Sequence, residues 1–190
     1  MNDFLHKCGT RRSRYSNKPH SLNDMPITPF HFGLGGVVHA IAPKRVSFIA
    51  FCTANVLIDV EPLYYMLTHQ HRLHQFFHTV VGASLAALLT LIVFIGCRAF
   101  SRRFWLPNPF EWQSLNLMSV ALGAILGTYS HIVLDSVMHM DITPFAPFSD
   151  ANPLLRIVSL STLHWFCIGS GVLGALIIVI RTFVVVKNSE

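Results

Sequence analysis

Long apolar runs alternate with short polar joints along this chain. Four runs approach the roughly 20 residues needed to cross about 30 Å of hydrocarbon at 1.5 Å per residue. They are 46–67 (VSFIAFCTANVLIDVEPLYYML), 75–97 (QFFHTVVGASLAALLTLIVFIGC), 114–139, and 157–180 (IVSLSTLHWFCIGSGVLGALIIVI). A shorter run at 28–43, TPFHFGLGGVVHAIAP, predicts a short membrane helix, re-entrant or shielded by the others. The predicted fold is all-α: a polytopic transmembrane helix bundle of four long spans plus a short N-terminal membrane helix.

The basic residues orient it. Lys44 and Arg45 precede the first long run, Arg98, Arg102 and Arg103 follow the second, and Arg181 and Lys187 end the fourth. Alternating spans put all of them on one side, which the positive-inside rule makes cytoplasmic. FWLPNPFEW (104–112) reads as an interfacial stretch. Gly123 and Gly127 form a helix-packing notch.

Composition agrees with a membrane protein. Hydrophobic residues make up 52% and charged residues 12%, with a mean hydropathy of +0.50; soluble domains carry about 25% charged residues. The net charge of +5 resides mostly in short flanking segments, so it bears on topology and not on nucleic acid. Residues 1–26 read as a basic flexible tail and 27–186 as one transmembrane helical domain. No apolar run of signal length precedes position 30, so a cleavable leader is not expected. Cys8, Cys52, Cys97 and Cys167 form no CxxC pair and read as packing residues.

The topology turns the polar residues into a location. Asp59 and Glu61 fall near the outer end of the first long run, while His71, His74 and His78 open the second. His131, Asp135, His139 and Asp141 close the third, and His164 starts the fourth. Seven of the eleven histidines (69, 71, 74, 78, 131, 139 and 164) thus gather on the non-cytoplasmic side, although only Arg and Lys set the orientation. His131, Asp135 and His139, spaced by four, share one helical face. His74 and His78, spaced the same way, can present two nitrogens on one helix face.

Imidazole and carboxylate together favour zinc or a neighbouring transition metal over magnesium or calcium. A divalent cation also offsets the burial of several carboxylates, and intramembrane carboxylates are functional by default. Blander roles fit other positions. His39 reads as a packing or hydrogen-bonding residue, His164 as structural, His69 and His71 as solvated, and Tyr64 and Tyr65 as belt residues. Asp141 is placed to reach back as a ligand or as support for a histidine nitrogen.

TPFHFG, IDVEP, HQFFHT, SHIVLDSVMH and PFAPFS, in this order over residues 28–155, resemble the LexA-regulated, membrane-bound metal-dependent hydrolase family. These are small bacterial inner-membrane proteins related at a distance to zinc-dependent phospholipase C. The resemblance implies that His31, Asp59, His78, His131 and Asp135 occupy metal-site positions. Two motifs depart from the family pattern: His74-Gln-Phe-Phe-His78-Thr lacks the usual Arg-Gly, and Ile58-Asp59-Val60-Glu61 replaces Pro-Asp-x-Asp.

These readings give one expectation. The ligands are His31, Asp59, His74, His78, His131, Asp135 and His139, holding a divalent transition metal such as zinc at the periplasmic side of the inner membrane. The reaction is metal-assisted hydrolysis of an ester or phosphodiester in a lipid-like or small-molecule substrate, with Asp59 or Glu61 as general base. Membrane lipid is the expected partner. The alternative is a metal or proton carrier, which needs a polar path toward the cytoplasmic end; SLAALLTLIVFIG and LGALIIVI are almost wholly apolar and oppose it.

Overall fold

The computed structural model describes residues 29–70 and 72–187; the N-terminal tail, Cys8 and His71 lie outside the described residues. Among the described residues there are helices and no strands. The helices are α1 (Pro29–Ile41), α2 (Phe48–Leu67), α3 (Val80–Arg103), α4 (Leu117–Met138) and α5 (Leu160–Lys187), with a 3-10 turn at Pro109–Ser114. Side-chain caps set three of the starts. Ser47 accepts from Ala50 N–H, Thr79 from Gly82 N–H and Asn116 from Met118 N–H.

The expected four long spans are not supported. Three helices are long and apolar enough to cross a membrane, Val80–Arg103, Leu117–Met138 and Leu160–Val184, and α1 is a shorter apolar helix. The 20-residue α2 falls short because Asn55, Asp59, Glu61 and an internal Pro62 interrupt its apolar sequence. A second correction concerns α3, which starts at Val80 and not at Gln75. Thr79 caps it there, and Glu61 takes the N–H groups of Phe76 and Phe77 ahead of it. His74 and His78 therefore do not share a helical face.

The helices run alternately up and down. Ser47 N–H bonds Ser119 O at the starts of α2 and α4, so these two are parallel. Arg98 reaches Leu115 O from the far end of α3, which makes α3 antiparallel to α4. Phe30 stacks on His164 and Arg181 bonds Ala40 O, so α1 and α5 are parallel. One end of the bundle thus gathers the starts of α1, α3 and α5 with the ends of α2 and α4. The other end carries Lys44, Arg45, Arg98, Arg102, Arg103, Arg181 and Lys187.

Outward faces are apolar, with Leu85, Leu88 and Ile92 on α3 and Val172, Leu176 and Val179 on α5 all exposed. In lipid such a bundle is held by close packing and not by hydrophobic exclusion. Small residues permit it: Ala54, Ala87 and Ala124 meet at the centre. A Cβ on Gly127 would stand 2.6 Å from Phe51 O, and one on Gly123 would strike Ser47 O. Gly127→Ala should therefore destabilise the α2–α4 pair by about 1–3 kcal/mol. Gly96→Ala, with nothing within 4 Å of the added Cβ, should be neutral or stabilising by up to about 1 kcal/mol. Thermal unfolding in detergent micelles separates the two.

Candidate metal centre

The α4 segment that ends the apolar run positions two of the key groups. His131 and Asp135 are one turn apart and buried, at 0% and 2% exposure. Asp59 comes from the second half of α2. His78 comes from the non-helical segment before α3, fixed by Glu61 through Phe76 N–H at 3.0 Å and Phe77 N–H at 2.8 Å. One donor atom from each of Asp59, His78, His131 and Asp135 lies within 4.8 Å of every other, so the four form a cluster able to hold a metal ion.

Contacts within the cluster are tight. His131 Nε2 is 3.1 Å from Asp59 Oδ1 and 3.1 Å from Asp135 Oδ2. His78 Nε2 is 3.4 Å from Asp135 Oδ2 and 3.9 Å from Asp59 Oδ1. Yet His131 Nε2, both ring nitrogens of His78 and Asp135 Oδ1 are buried without a hydrogen-bond partner. Proximity without directed hydrogen bonds is what donors aimed at a common centre show. Donors about 2.0–2.2 Å from a zinc ion stand roughly 3.3–3.6 Å apart in a tetrahedron, close to these separations.

Asn55 fixes the role of one nitrogen of His131. Its Nδ2 donates to Phe51 O at 2.8 Å, so its Oδ1 accepts from His131 Nδ1 at 2.9 Å. Nδ1 then carries a proton, and in the neutral ring the Nε2 lone pair faces two carboxylates. Lone pair against carboxylate is repulsive unless a cation or a proton lies between. The residues present therefore fit a metal. The sequence reading passed over Asn55, although a buried amide four residues before Asp59 in an apolar run was a usable signal.

His31 borders the cluster. Its Nε2 is 3.2 Å from Asp135 Oδ1 and its Nδ1 is 3.1 Å from His131 Nδ1. A second group, His74, Asp135 and His139, also has donor atoms mutually within 4.8 Å. Asp141 does reach back: its oxygens lie 3.0 and 3.1 Å from His74 Nδ1, and it accepts from Leu73 and His74 N–H. Burial pushes the Asp141 carboxyl up, but the bonds from His74 and the two backbone N–H groups outweigh it and hold it well below the usual carboxylate range. Glu61 has one oxygen 3.9 Å from His78 Nδ1.

Residues assigned blander roles sit elsewhere. His39 Nδ1 bonds Val46 O at 2.7 Å, His164 stacks on Phe30, and His69 is exposed. Cys52, Cys97 and Cys167 are free thiols. Of the four clustered ligand candidates only Asp59 has appreciable exposure, with its side chain 26% accessible. The cluster is closed from within and reached at Asp59. Beside that opening α2 exposes Val56, Val60 and Leu63.

A family model described as YdjM inner membrane protein matches residues 20–189 of this 190-residue chain. No curated protein and no solved structure matches it. The chain belongs to the YdjM inner membrane protein family, and with three helices able to span it is a multi-pass inner-membrane protein.

Proposed function

We propose that this YdjM-family protein is a metal-dependent hydrolase whose site opens toward the periplasmic side of the membrane. The observation that carries the reading is the convergence of Asp59, His78, His131 and Asp135 from three parts of the chain, with buried histidine nitrogens directed at carboxylates. Three buried groups and one partly exposed carboxylate suit a catalytic centre better than a sealed structural one. The periplasmic assignment follows from the bundle's other end, where the basic residues collect.

His78, His131 and Asp135 hold the ion in this reading. A zinc-type cation, when bound, supplies Lewis acidity and a water acidified to a pKa of about 7. Asp59 meets the incoming substrate and takes the proton of the attacking water. Glu61 is occupied by two backbone N–H groups, and it positions His78. Asn55 keeps the His131 Nε2 lone pair available. Closure of the bundle beneath the site by Ala54, Ala87 and Ala124 excludes water from the rear.

A lipid-like ester or phosphodiester is the substrate class best supported. The only edge of the cluster with appreciable exposure lies beside Val56, Val60 and Leu63, which face lipid. A groove of about 420 Å³ between α1 and α5, lined by Phe30, Phe32, Phe48 and Ile178, starts one residue from His31 and offers apolar walls for a chain.

The test uses full-length protein in detergent micelles with an aryl phosphodiester and an aryl ester as probes. Zinc-loaded wild type should hydrolyse at least one, EDTA should abolish the rate, and zinc should restore it. Asp59→Ala should be slower by about 10²–10⁴-fold. Rates that are indifferent to EDTA and equal in Asp59→Ala contradict the proposal.

A further inference from the structure

We propose that the protein carries a second cation position, formed by His74, Asp135 and His139, with Asp135 shared between it and the first. This rests on the reading that the Asp59–His78–His131–Asp135 cluster holds a metal, and extends it from one ion to two.

Donor atoms come from three residues, of which the spacing by four brings together only Asp135 and His139. His74 lies in the segment before α3, Asp135 is in the last turns of α4, and His139 caps that helix with its backbone N–H on Asp135 O. One atom from each lies within 4.8 Å of the others. One of the three, His139, holds an unsatisfied buried nitrogen: its Nε2 has no hydrogen-bond partner, while Asp135 is almost wholly buried with its Oδ1 3.2 Å from His31 Nε2. A buried polar atom left unpaired is costly, and native proteins nearly always give it a partner.

The third ligand is prepared by its neighbour. His74 Nδ1 lies against both oxygens of Asp141, which are themselves fixed by the N–H groups of Leu73 and His74. An ionised carboxylate accepts only, so Nδ1 carries a proton, and in the neutral ring the lone pair is on Nε2. A carboxylate that holds one imidazole nitrogen while the other ligates is the usual outer-shell support of a metal-bound histidine. The rings of His74 and His139 stack at 4.3 Å, which restrains the tilt of both. Two imidazoles and one carboxylate favour a zinc-like divalent cation.

Asp135 then explains its own surroundings. Its carboxylate is ringed by His31, His78 and His131 at 3.1–3.4 Å, with His139 beyond. One carboxylate has enough lone pairs to serve two cations at once. The first cluster needs only part of that capacity.

Zinc titration of metal-free, full-length protein in micelles, followed by desalting and metal analysis, tests this. Wild type should retain two equivalents, His139→Ala one, and His131→Ala should lose the first while keeping the second. Asp141→Asn leaves the ligands in place and should weaken only the second site, by about 10–100-fold. It serves if His139→Ala fails to show a wild-type helical signal. A wild type that saturates at one equivalent, lost in His131→Ala but kept in His139→Ala and unaffected by Asp141→Asn, overturns the second position alone. A wild type that binds no zinc overturns the first reading and this one together.

Discussion

Asp135→Ala is expected to abolish zinc retention and hydrolysis together, the largest loss of any single substitution. Asp135 is the one residue common to both ligand groups, buried at the end of α4 with histidine nitrogens on several sides. Its removal leaves His74 and His139 with no carboxylate between them and the first group with Asp59 alone of its two, and imidazoles short of a carboxylate bind a dication less well. The loss should exceed that of Asp59→Ala, because Asp59 touches one group only. Asp135→Asn separates charge from shape. It keeps the volume and one carbonyl oxygen, so the fold should survive while metal retention falls. Metal analysis beside far-ultraviolet circular dichroism reads both. Full retention of zinc in Asp135→Ala would show that the clustered side chains are not its ligands.

Glu61→Ala is expected to have the next largest effect, through structure. Glu61 accepts from Phe76 N–H at 3.0 Å and Phe77 N–H at 2.8 Å, tying the non-helical segment 74–79 to α2. Hydrogen bonds to a charged group contribute about 1.5–3 kcal/mol each. The segment carries His78 and His74, so its release displaces a ligand from each proposed position. Glu61→Ala should lower thermal stability and zinc retention in the same preparation. Glu61→Gln, which keeps a carbonyl acceptor, should recover part of both. A general base at this position predicts a different outcome, with zinc retained and only turnover lost in Glu61→Gln.

Much of the bundle was legible because lipid imposes a simple rule: apolar runs of spanning length with basic residues between them. The short helix expected at 28–43 is α1, and the run expected at 114–139 is α4 with an ordinary Asn116 cap. The miscounted span was α2. Hydropathy averages over a window, and Asn55, Asp59, Glu61 and Pro62 lie in the part of α2 that turns toward the site. Polar side chains facing inward are compatible with a helix in the bundle but dilute its hydropathy. The start of α3 was misplaced for a related reason. HQFFHT looks continuous with the apolar run, and only the tertiary contact from Glu61 and the Thr79 cap hold it out of the helix.

The spacing of His131 and Asp135 pointed to a shared face, and the structure places Asp59 and His78 against that face. What the spacing could not give was grouping. Seven candidate ligands read as one set, whereas the chain folds them into two groups joined at Asp135, with His31 bordering the first. Asn55 acts through a hydrogen bond to a histidine 76 residues away, a relation that no local pattern encodes, whereas the reach of Asp141 back to a histidine nitrogen was legible.

X-ray absorption at the zinc K-edge of the loaded, full-length protein is the most direct measurement of the central claim. A first shell of nitrogen and oxygen with the outer scattering of imidazole rings, diminished in His131→Ala, is the predicted result. A spectrum of oxygen neighbours alone, identical in wild type and His131→Ala, would contradict it.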